Sequence, residues 1–261
     1  MSEKIIWITG ASSGIGEALA YELSKNGSKL ILSARRKDAL ELVKSNCTFP
    51  NNVAILPLDL YEFDSLPEKV KEAIAIYGKI DILINNGGIS QRSLIAETKF
   101  EVFKKMIDVN YLGTIQLTNS LLPHFIAEKQ GQYVTITSLM GKFGSPFRSG
   151  YCGAKHALHG YFDVLRMEHE KDNIDVTLIC PGFIQTNVAK NALTADGTSQ
   201  EKQDEATANG LDVALCAKRI IRAMNKKKFE AYIGGKEIFG VYVKRLFPKL
   251  LHKLVLKSAV R

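Results

Sequence analysis

Short apolar runs rich in β-branched residues alternate with segments of helical periodicity along most of this chain. Such alternation is typical of βαβ units, which build a parallel sheet covered by helices on both faces. Strands are predicted at Lys4–Thr9, Lys29–Ser33, Ala54–Pro57, Ile82–Asn85, Gln132–Thr137, Val176–Cys180 and, more weakly, Glu230–Ile233. Helices are predicted at Ile15–Asn26, Asp38–Ser45, Ser65–Tyr77, Phe100–Glu128, Tyr151–Glu170 and Val213–Asn225. We therefore expect an α/β fold.

The length of 261 residues suits one α/β domain, and no repeat, low-complexity tract or linker divides it. We therefore expect a single catalytic domain over residues 1–261. One long segment, Asn191–Gly210, lacks clear periodicity and is polar and rich in small residues. Long loops in compact domains are usually lids or disordered segments. The position of this segment after the last central strand favours a lid that covers a substrate.

The composition points to a cytoplasmic protein. No apolar run reaches the length of a membrane-spanning helix, and the first residues lead directly into an apolar strand, so we expect no signal or transit peptide. The four cysteines have neither metal-ligand nor disulfide spacing, as expected in a reducing compartment.

A glycine-rich turn, Thr9-Gly10-Ala11-Ser12-Ser13-Gly14-Ile15-Gly16, follows the first strand and precedes the first helix. Glycines at such a turn let the backbone approach a pyrophosphate, whose charge then meets the helix N-terminus. A purely structural turn is the alternative, but the position after the first strand favours dinucleotide binding.

Two arginines, Arg35 and Arg36, follow the second predicted strand, where NAD-selective proteins carry an acidic residue. A guanidinium binds a ribose 2′-phosphate through charge-assisted hydrogen bonds, whereas a carboxylate would repel it. The sequence therefore favours NADP(H). The alternative, that the arginines only open a solvated helix, suits Arg36 better than Arg35.

Polar residues also follow the later strands, at the carboxyl edge where open α/β sheets bind ligands. Asp59 follows the third strand, Asn86 the fourth and Ser138 the fifth. A structural turn is an equally good explanation for Asn86 taken alone. Asn110 lies inside a strongly helical segment, where asparagine is mildly unfavourable unless it hydrogen-bonds locally or performs a task.

Tyr151 and Lys155 are four residues apart in a predicted helix, so they share one face. A nearby positive charge lowers the pKa of a phenol, which can then exchange a proton with an alkoxide near neutral pH. This spacing is also common on solvated helices, so the pair gains meaning only from its surroundings.

Together these residues resemble the short-chain dehydrogenase/reductase family over nearly the whole chain. The matching pieces are Thr9-Gly-x-x-x-Gly-x-Gly16, Asn85-Asn86-Gly87-Gly88, Asn110, Ser138, Tyr151-x-x-x-Lys155 and Pro181-Gly182. Gly87 departs from the family, which usually has alanine there, a change that should cost little. The resemblance implies a Rossmann-type, doubly wound parallel sheet of about seven strands with helices on both faces.

The resemblance also implies a Ser-Tyr-Lys-Asn active site. Ser138 would hydrogen-bond the substrate oxygen, and Tyr151 would exchange its proton with that oxygen. Lys155 would bind the ribose and lower the pKa of Tyr151, and Asn110 would hold a water that links Lys155 to solvent. Thr186 would contact the nicotinamide carboxamide. The expected cofactor site comprises Gly10, Ser12, Ser13, Gly14, Ile15, Gly16, Arg35, Arg36, Asp59, Leu60, Asn86, Gly87, Gly88, Tyr151, Lys155, Pro181, Gly182, Ile184 and Thr186.

The net charge of +8 comes from the C-terminal part of the chain. Residues 226–261 contain ten Lys/Arg and two acids, so the rest is neutral overall and nucleic-acid binding is not expected. At 100° per residue, six residues of the basic extension 236–261 form an apolar stripe: Phe239, Val243, Leu246, Phe247, Leu250 and Leu254. Pro248 predicts two short helices rather than one. Docking on the domain or a second subunit is weighed slightly above peripheral membrane contact.

The expected function is reduction of a ketone by NADPH, or the reverse oxidation of a secondary alcohol. Apolar residues near the motifs suggest a moderately lipophilic substrate: Leu139, Met140, Phe143, Phe147 and Phe183. The alternative is a non-catalytic NADP(H) sensor or scaffold. A homodimer or homotetramer is expected by analogy with the family. The substrate itself does not follow from the sequence.

Overall fold

The computed structural model describes residues 4–257, so the first three residues and the last four of the C-terminal extension lie outside it. Seven parallel strands form one sheet in the order β3-β2-β1-β4-β5-β6-β7. The strands are β1 (Ile5–Thr9), β2 (Lys29–Ser33), β3 (Val53–Ile55), β4 (Ile82–Asn85), β5 (Gly131–Ile136), β6 (Ile174–Pro181) and β7 (Glu230–Ile233). The predicted α/β fold is confirmed. The limits of β2, β4 and β7 are those predicted, and the limits of the other strands differ by no more than two residues.

Ten α-helices lie within residues 4–257. They are α1 (Gly14–Ser24), α2 (Lys37–Ser45), α3 (Leu66–Tyr77), α4 (Phe100–Ile107), α5 (Gly113–Glu128), α6 (Ser149–Glu168), α7 (Glu205–Ala208), α8 (Val213–Asn225), α9 (Phe239–Leu246) and α10 (Pro248–Lys257). The single helix predicted from Phe100 to Glu128 is instead α4 and α5 joined by a π-helical turn at Asp108–Leu112. Sequence periodicity did not reveal this turn because the backbone keeps right-handed helical angles from α4 through the turn into α5.

The core has one apolar layer on each face of the sheet. Successive side chains of β1 alternate between them, because neighbouring residues of a strand point to opposite faces. Ile6 and Ile8 pack in the layer under α1, α2 and α8. Ile5 and Trp7 pack in the layer under α3, α5 and α6. Burial on both faces explains why the strands read as continuous apolar runs.

The order of the sheet reverses at β1, which pairs with β2 on one side and β4 on the other. At such a switch point the two flanking connections leave in opposite directions and open a crevice beyond the carboxyl ends of the strands. The glycine turn after β1 and the residues that follow β4 meet at this crevice.

The C-terminal extension forms two helices that break at Pro248, as predicted. The face of these helices that docks on the domain is not the predicted stripe. Val243, Leu251 and Val255 pack toward Phe143 of the domain. Five of the six predicted stripe residues are about half exposed or more: Phe239, Leu246, Phe247, Leu250 and Leu254. The break at Pro248 resets the helical phase, so an angle counted through both helices does not describe α10. No helix of residues 4–257 has the length and apolar character needed to cross a membrane.

Candidate active site

A cavity of about 1280 Å³ occupies the crevice at the carboxyl edge of the sheet. Its walls come from the turns after β1, β2, β4, β5 and β6 and from the C-terminal helices. Pockets for one small molecule usually measure about 300 to 1,000 Å³. This cavity therefore has room for a dinucleotide and a further ligand.

The glycine turn after β1 requires glycine for two reasons, backbone conformation and close packing. Gly10 has φ +63°, a left-handed conformation that favours glycine, and a Cβ there would lie 2.7 Å from Gly87 Cα. Gly16 was predicted to bind cofactor, but it is buried and does not line the cavity. A Cβ at Gly16 would collide with the carbonyl oxygen of Gly10. Its role is therefore to let α1 pack against the turn.

Thr9 and Asn86 hold the glycine turn against the end of β4. The hydroxyl oxygen of Thr9 accepts the N–H groups of Asn86 and Gly87 at 3.0 and 2.9 Å. The side-chain amide of Asn86 donates to the carbonyl oxygens of Thr9 and Gly10 at 3.0 and 3.1 Å. The Asn86 side chain thus fixes the shape of the turn, while the residue also lines the cavity.

The shape of this region fits a nicotinamide dinucleotide. The N-terminus of α1 faces the cavity, where backbone N–H groups and the helix dipole favour a pyrophosphate. A Cβ at Gly88 would lie 2.5 Å from the Asn110 side-chain oxygen, so any larger residue at this position of the cavity wall would collide with Asn110. The other predicted cofactor residues also line the cavity: Ser12, Ser13, Gly14, Ile15, Arg35, Arg36, Asp59, Leu60, Gly87, Pro181, Gly182, Ile184 and Thr186.

The Gly87 departure from the family pattern has a local explanation. A Cβ at Gly87 would lie 2.8 Å from the Leu60 Cδ1 atom. Leu60 is buried and also lines the cavity, so the missing methyl group at position 87 leaves space for the Leu60 side chain. The clash would be with the tip of a flexible side chain, which agrees with a small cost.

Tyr151 and Lys155 lie in the first two turns of α6 and both line the cavity. The Lys155 Nζ atom is 5.8 Å from the centroid of the Tyr151 ring and donates to the Ile136 carbonyl oxygen at 2.8 Å. Burial lowers the pKa of Lys155 to about 8. The pKa of Tyr151 is raised rather than lowered, because burial outweighs the lowering by hydrogen bonding with Ser138 and by the charge of Arg92.

Ser138 lies two residues beyond β5 and begins a short 3₁₀ turn, Leu139–Gly141. Its hydroxyl oxygen accepts the N–H of Met140 at 3.1 Å, and its hydroxyl group donates to the Pro181 carbonyl at 3.4 Å. These bonds orient the side chain at the cavity wall, where it reaches Tyr151. A Cβ at Gly141 would lie 2.8 Å from the Lys155 carbonyl, so the turn can approach α6 only with glycine at that position.

Asn110 occupies the middle of the π-helical turn and is fully buried. Its side-chain oxygen accepts the N–H of Ile89 at 2.8 Å, and its NH₂ group donates to the Ile89 carbonyl at 3.0 Å. The π turn therefore brings Asn110 against the chain leaving β4. π-helical turns are frequent at functional sites.

Sequence reasoning missed a buried ion cluster that closes one side of the cavity. Asp204 accepts from Arg92 at 2.6 Å and from Arg148 at 3.1 Å, and the three side chains are less than a tenth exposed. Burial acts to raise the pKa of Asp204, but hydrogen bonding and charge from Arg92, with the charge of Arg148, produce a net lowering. No local signal predicted this cluster, because Arg92 and Asp204 are 112 residues apart.

The segment 191–210, predicted as a lid, covers this side of the cavity and is bonded in place by its main chain. The Leu193 N–H donates to Ser90 O, and the Arg92 N–H donates to Leu193 O, both at 2.8 Å. The side chain of Asp204 adds the ion pairs. A lid that opens must therefore break both kinds of contact.

Glu237 is a second residue that the sequence did not predict. Its Oε1 atom accepts the N–H groups of Phe183 and Gly235, each at 3.0 Å. It thereby holds the turn after β6, which carries Pro181 and Gly182 to the cavity wall.

The apolar part of the cavity lies near Ser138. Four of the five residues predicted there line it: Leu139, Met140, Phe143 and Phe183. Phe147 does not line the cavity, and its left-handed backbone (φ +68°) belongs to the turn before α6. The C-terminal helices complete the wall with Phe239, Gly240, Val243, Leu251, Leu254 and Val255.

The family model described as short chain dehydrogenase matches residues 4–197. A dehydrogenase/reductase SDR family member 7 from Homo sapiens is 42% identical over 89% of this chain and 70% of its own length. An SDR family protein 7-like from Anopheles gambiae is 46% identical over 99% of this chain and 84% of its own length.

Solved structures show the same architecture. A short-chain dehydrogenase from Streptomyces avermitilis superposes with a TM-score of 0.83 and 25% identity over 98% of both chains. A Burkholderia phymatum structure in complex with NAD has a TM-score of 0.84 at 20% identity over 95% of both chains. ElxO with NADP bound has a TM-score of 0.77 and 25% identity over 88% of this chain and 97% of its own.

Proposed function

Because this chain belongs to the short-chain dehydrogenase/reductase family, a family of nicotinamide-dependent oxidoreductases, we propose that it transfers a hydride between NADP(H) and a ketone or secondary alcohol. One observation carries the proposal: Ser138, Tyr151 and Lys155 line the same cavity as the glycine turn. A bound nicotinamide supplies the hydride, and the protein supplies position, proton and charge.

The proposed mechanism assigns one task to each side chain. In the reductive direction, Ser138 donates a hydrogen bond to the substrate carbonyl oxygen, and Tyr151 donates the proton that this oxygen takes up. The positive charge of Lys155 favours the phenolate that remains. Asn110 holds the chain next to Lys155 and, as the family pattern implies, a water through which the proton is replaced.

The preference for NADP(H) is supported by Arg35 and Arg36, which are exposed at the cavity edge directly after β2. A moderately lipophilic substrate is supported by the apolar wall around Leu139 and Phe143 and by the C-terminal helices that close it. We also propose that the protein forms a homodimer or homotetramer and acts in the cytoplasm.

We further propose that the exposed face of α9 and α10 makes a peripheral contact with anionic lipid. Its apolar residues Phe239, Leu246 and Phe247 are each at least 60% exposed. Lysines and arginines flank them in the sequence, and residues 239–257 contain no acid, an arrangement that suits a lipid interface. The same helices line the cavity, which places the proposed lipid contact beside the proposed substrate site.

Tyr151→Phe tests the catalytic proposal against the alternative of a non-catalytic sensor. Loss of the proton donor should lower ketone-dependent NADPH oxidation by about 10²- to 10⁴-fold, the usual contribution of a general acid. NADPH binding, measured by the fluorescence of the bound nucleotide, should change little. Unchanged turnover in the variant would refute the mechanism.

A further inference from the structure

Three potential metal ligands meet behind the active-site wall, outside the cavity. They are His159 on α6, Cys180 near the end of β6 and Glu230 at the start of β7. Their candidate ligand atoms all lie within 4.8 Å of one another. None of the three lines the cavity, and the proposed hydride transfer gives none of them a task.

The spacing of these atoms is close to what a tetrahedral zinc ion requires. Cys180 Sγ is 3.8 Å from His159 Nε2 and 3.7 Å from Glu230 Oε1. Zn–S and Zn–N bonds of about 2.3 and 2.0 Å at a tetrahedral angle separate sulfur and nitrogen by about 3.6 Å. Only small side-chain movements would therefore bring the three groups into coordination.

The His159 ring directs both of its nitrogens at the cluster. Its side chain is 9% exposed, and Nδ1 has no hydrogen-bond partner within residues 4–257. That nitrogen faces Glu230 Oε2 at 4.0 Å, too far for a hydrogen bond, while Nε2 faces Cys180 Sγ. Whichever nitrogen carries the proton, the other therefore faces the cluster and can be the metal ligand.

The Lys142 ammonium group also contacts Glu230, so it competes with a metal ion for that carboxylate. Its Nζ atom lies 2.7 Å from Glu230 Oε2, whereas Oε1 is the oxygen that faces Cys180. A metal on Oε1 leaves the ion pair on Oε2 in place. One divalent cation, one thiolate and one carboxylate sum to zero charge, and the Lys142 ammonium brings the total charge of the site to +1.

We propose that His159, Cys180 and Glu230 form a zinc site with water as the fourth ligand. On binding, the Cys180 thiol loses its proton to solvent and a Zn–S bond forms, with no change of oxidation state. Mixed sulfur, nitrogen and oxygen donors suit Zn²⁺. The ion would join α6, β6 and β7 one helical turn beyond Lys155.

Cobalt(II) titration of the untagged, chelator-treated full-length protein tests the proposal. We expect one Co²⁺ per chain, with a thiolate-to-cobalt charge-transfer band in the near ultraviolet and the visible bands of four-coordinate cobalt. Added Zn²⁺ should displace the cobalt and abolish both signals. The cobalt absorption bands do not depend on turnover, so they test the zinc site separately from the proposed hydride transfer.

Three variants complete the experiment. Cys180→Ser should lose the charge-transfer band, while Cys216→Ser, which removes a buried thiol of α8, should retain it. Glu230→Gln, at a partly exposed position, should weaken cobalt binding at least 10-fold and covers the case in which Cys180→Ser does not fold. Absence of the band in the wild-type protein, or its persistence in Cys180→Ser, would overturn the proposal.

Discussion

Lys155 is a buried cation, and its burial opposes the stability of the cofactor-free protein. Its pKa falls from 10.5 to about 8 because burial disfavours the charged form. Between these pH values the unfolded chain binds a proton that the native chain has released, so stability rises with pH through this window. Below about pH 8, Lys155 is protonated in both the native and the unfolded state. Burial of its charge then lowers the free energy of unfolding by the full amount, about 3 kcal/mol for a pKa shift of this size.

Lys155→Met should therefore stabilise the cofactor-free protein while abolishing activity. The lost hydrogen bond to the Ile136 carbonyl offsets about 1 kcal/mol of the gain, which leaves about 2 kcal/mol at pH 7. Urea unfolding at pH 7 and pH 10 measures both the gain and its decline. Lys171→Met, at an exposed lysine, is the control and should change little. A destabilised Lys155→Met protein would contradict the interpretation.

Arg35 and Arg36 form a matched pair for testing cofactor preference. Arg35→Ala should raise the KM for NADPH by about 10- to 100-fold, the equivalent of one charge-assisted hydrogen bond, and should leave the KM for NADH nearly unchanged. Arg36→Ala should have a smaller effect, because Arg36 directly precedes α2 and serves as its N-terminal flanking residue. Equal losses with both cofactors in Arg35→Ala would exclude a contact with the 2′-phosphate.

At the scale of an element, the segment 191–210 depends on one carboxylate. Asp204 is an acidic partner shared by Arg92 and Arg148, so Asp204→Asn removes a negative charge that both buried guanidinium groups contact. Removing one partner of a buried ion pair costs about 3 to 5 kcal/mol. We expect this variant to lower the free energy of unfolding by that amount and to speed hydrogen exchange within residues 191–210.

Glu201→Gln is the control for this element, since Glu201 lies exposed on the same segment. It should leave both stability and exchange close to those of the wild type. If exchange accelerated equally across all elements in Asp204→Asn, the ion cluster would stabilise the whole domain rather than hold this segment.

The elements that sequence analysis predicted well are those with a local signal. β1 and the glycine turn follow from apolar runs and glycine spacing over about a dozen residues. The Asp204 cluster has no such signal, because its members come together only through the tertiary fold. The docked face of the C-terminal helices was not predicted for a different reason: Pro248 makes two helices with separate phases, so one helical wheel does not describe both.

At the scale of the whole molecule, the C-terminal helices have two faces with different environments. Leu251 packs inward against the domain, while Leu246 and Phe247 are 70% and 61% exposed. Because the inward face also closes the cavity, deletion of both helices would disturb the cavity itself. Point substitutions on the outer face are therefore the better probe of membrane contact.

Leu246→Asp/Phe247→Asp should reduce co-sedimentation with vesicles of phosphatidylserine and phosphatidylcholine at least 10-fold, and binding of the wild type should weaken with salt. Phe100→Asp, which places the same charge at a 75% exposed phenylalanine elsewhere, is the control. Co-sedimentation of the double variant at the wild-type level would exclude this face as the lipid contact.

The global arrangement was also predictable in part. The strand–helix alternation predicted a parallel sheet, and the carboxyl edge predicted where Ser138 and Tyr151 would meet. Which helices close the cavity was not predictable, because α9 and α10 reach it from the far end of the sequence and their contact with Phe143 is tertiary.

The position of α9 and α10 has a consequence for biosynthesis. Ribosomes make the chain from its N-terminus, so all seven strands and Phe143 are made before the helices that cover this wall. Until those helices dock, the nascent protein exposes the apolar wall of the cavity around Phe143 to solvent. Transiently exposed apolar surface promotes aggregation and is what chaperones recognise. A premature stop codon near Phe239 would make this stage permanent, and we expect the truncated product to require chaperones or be degraded.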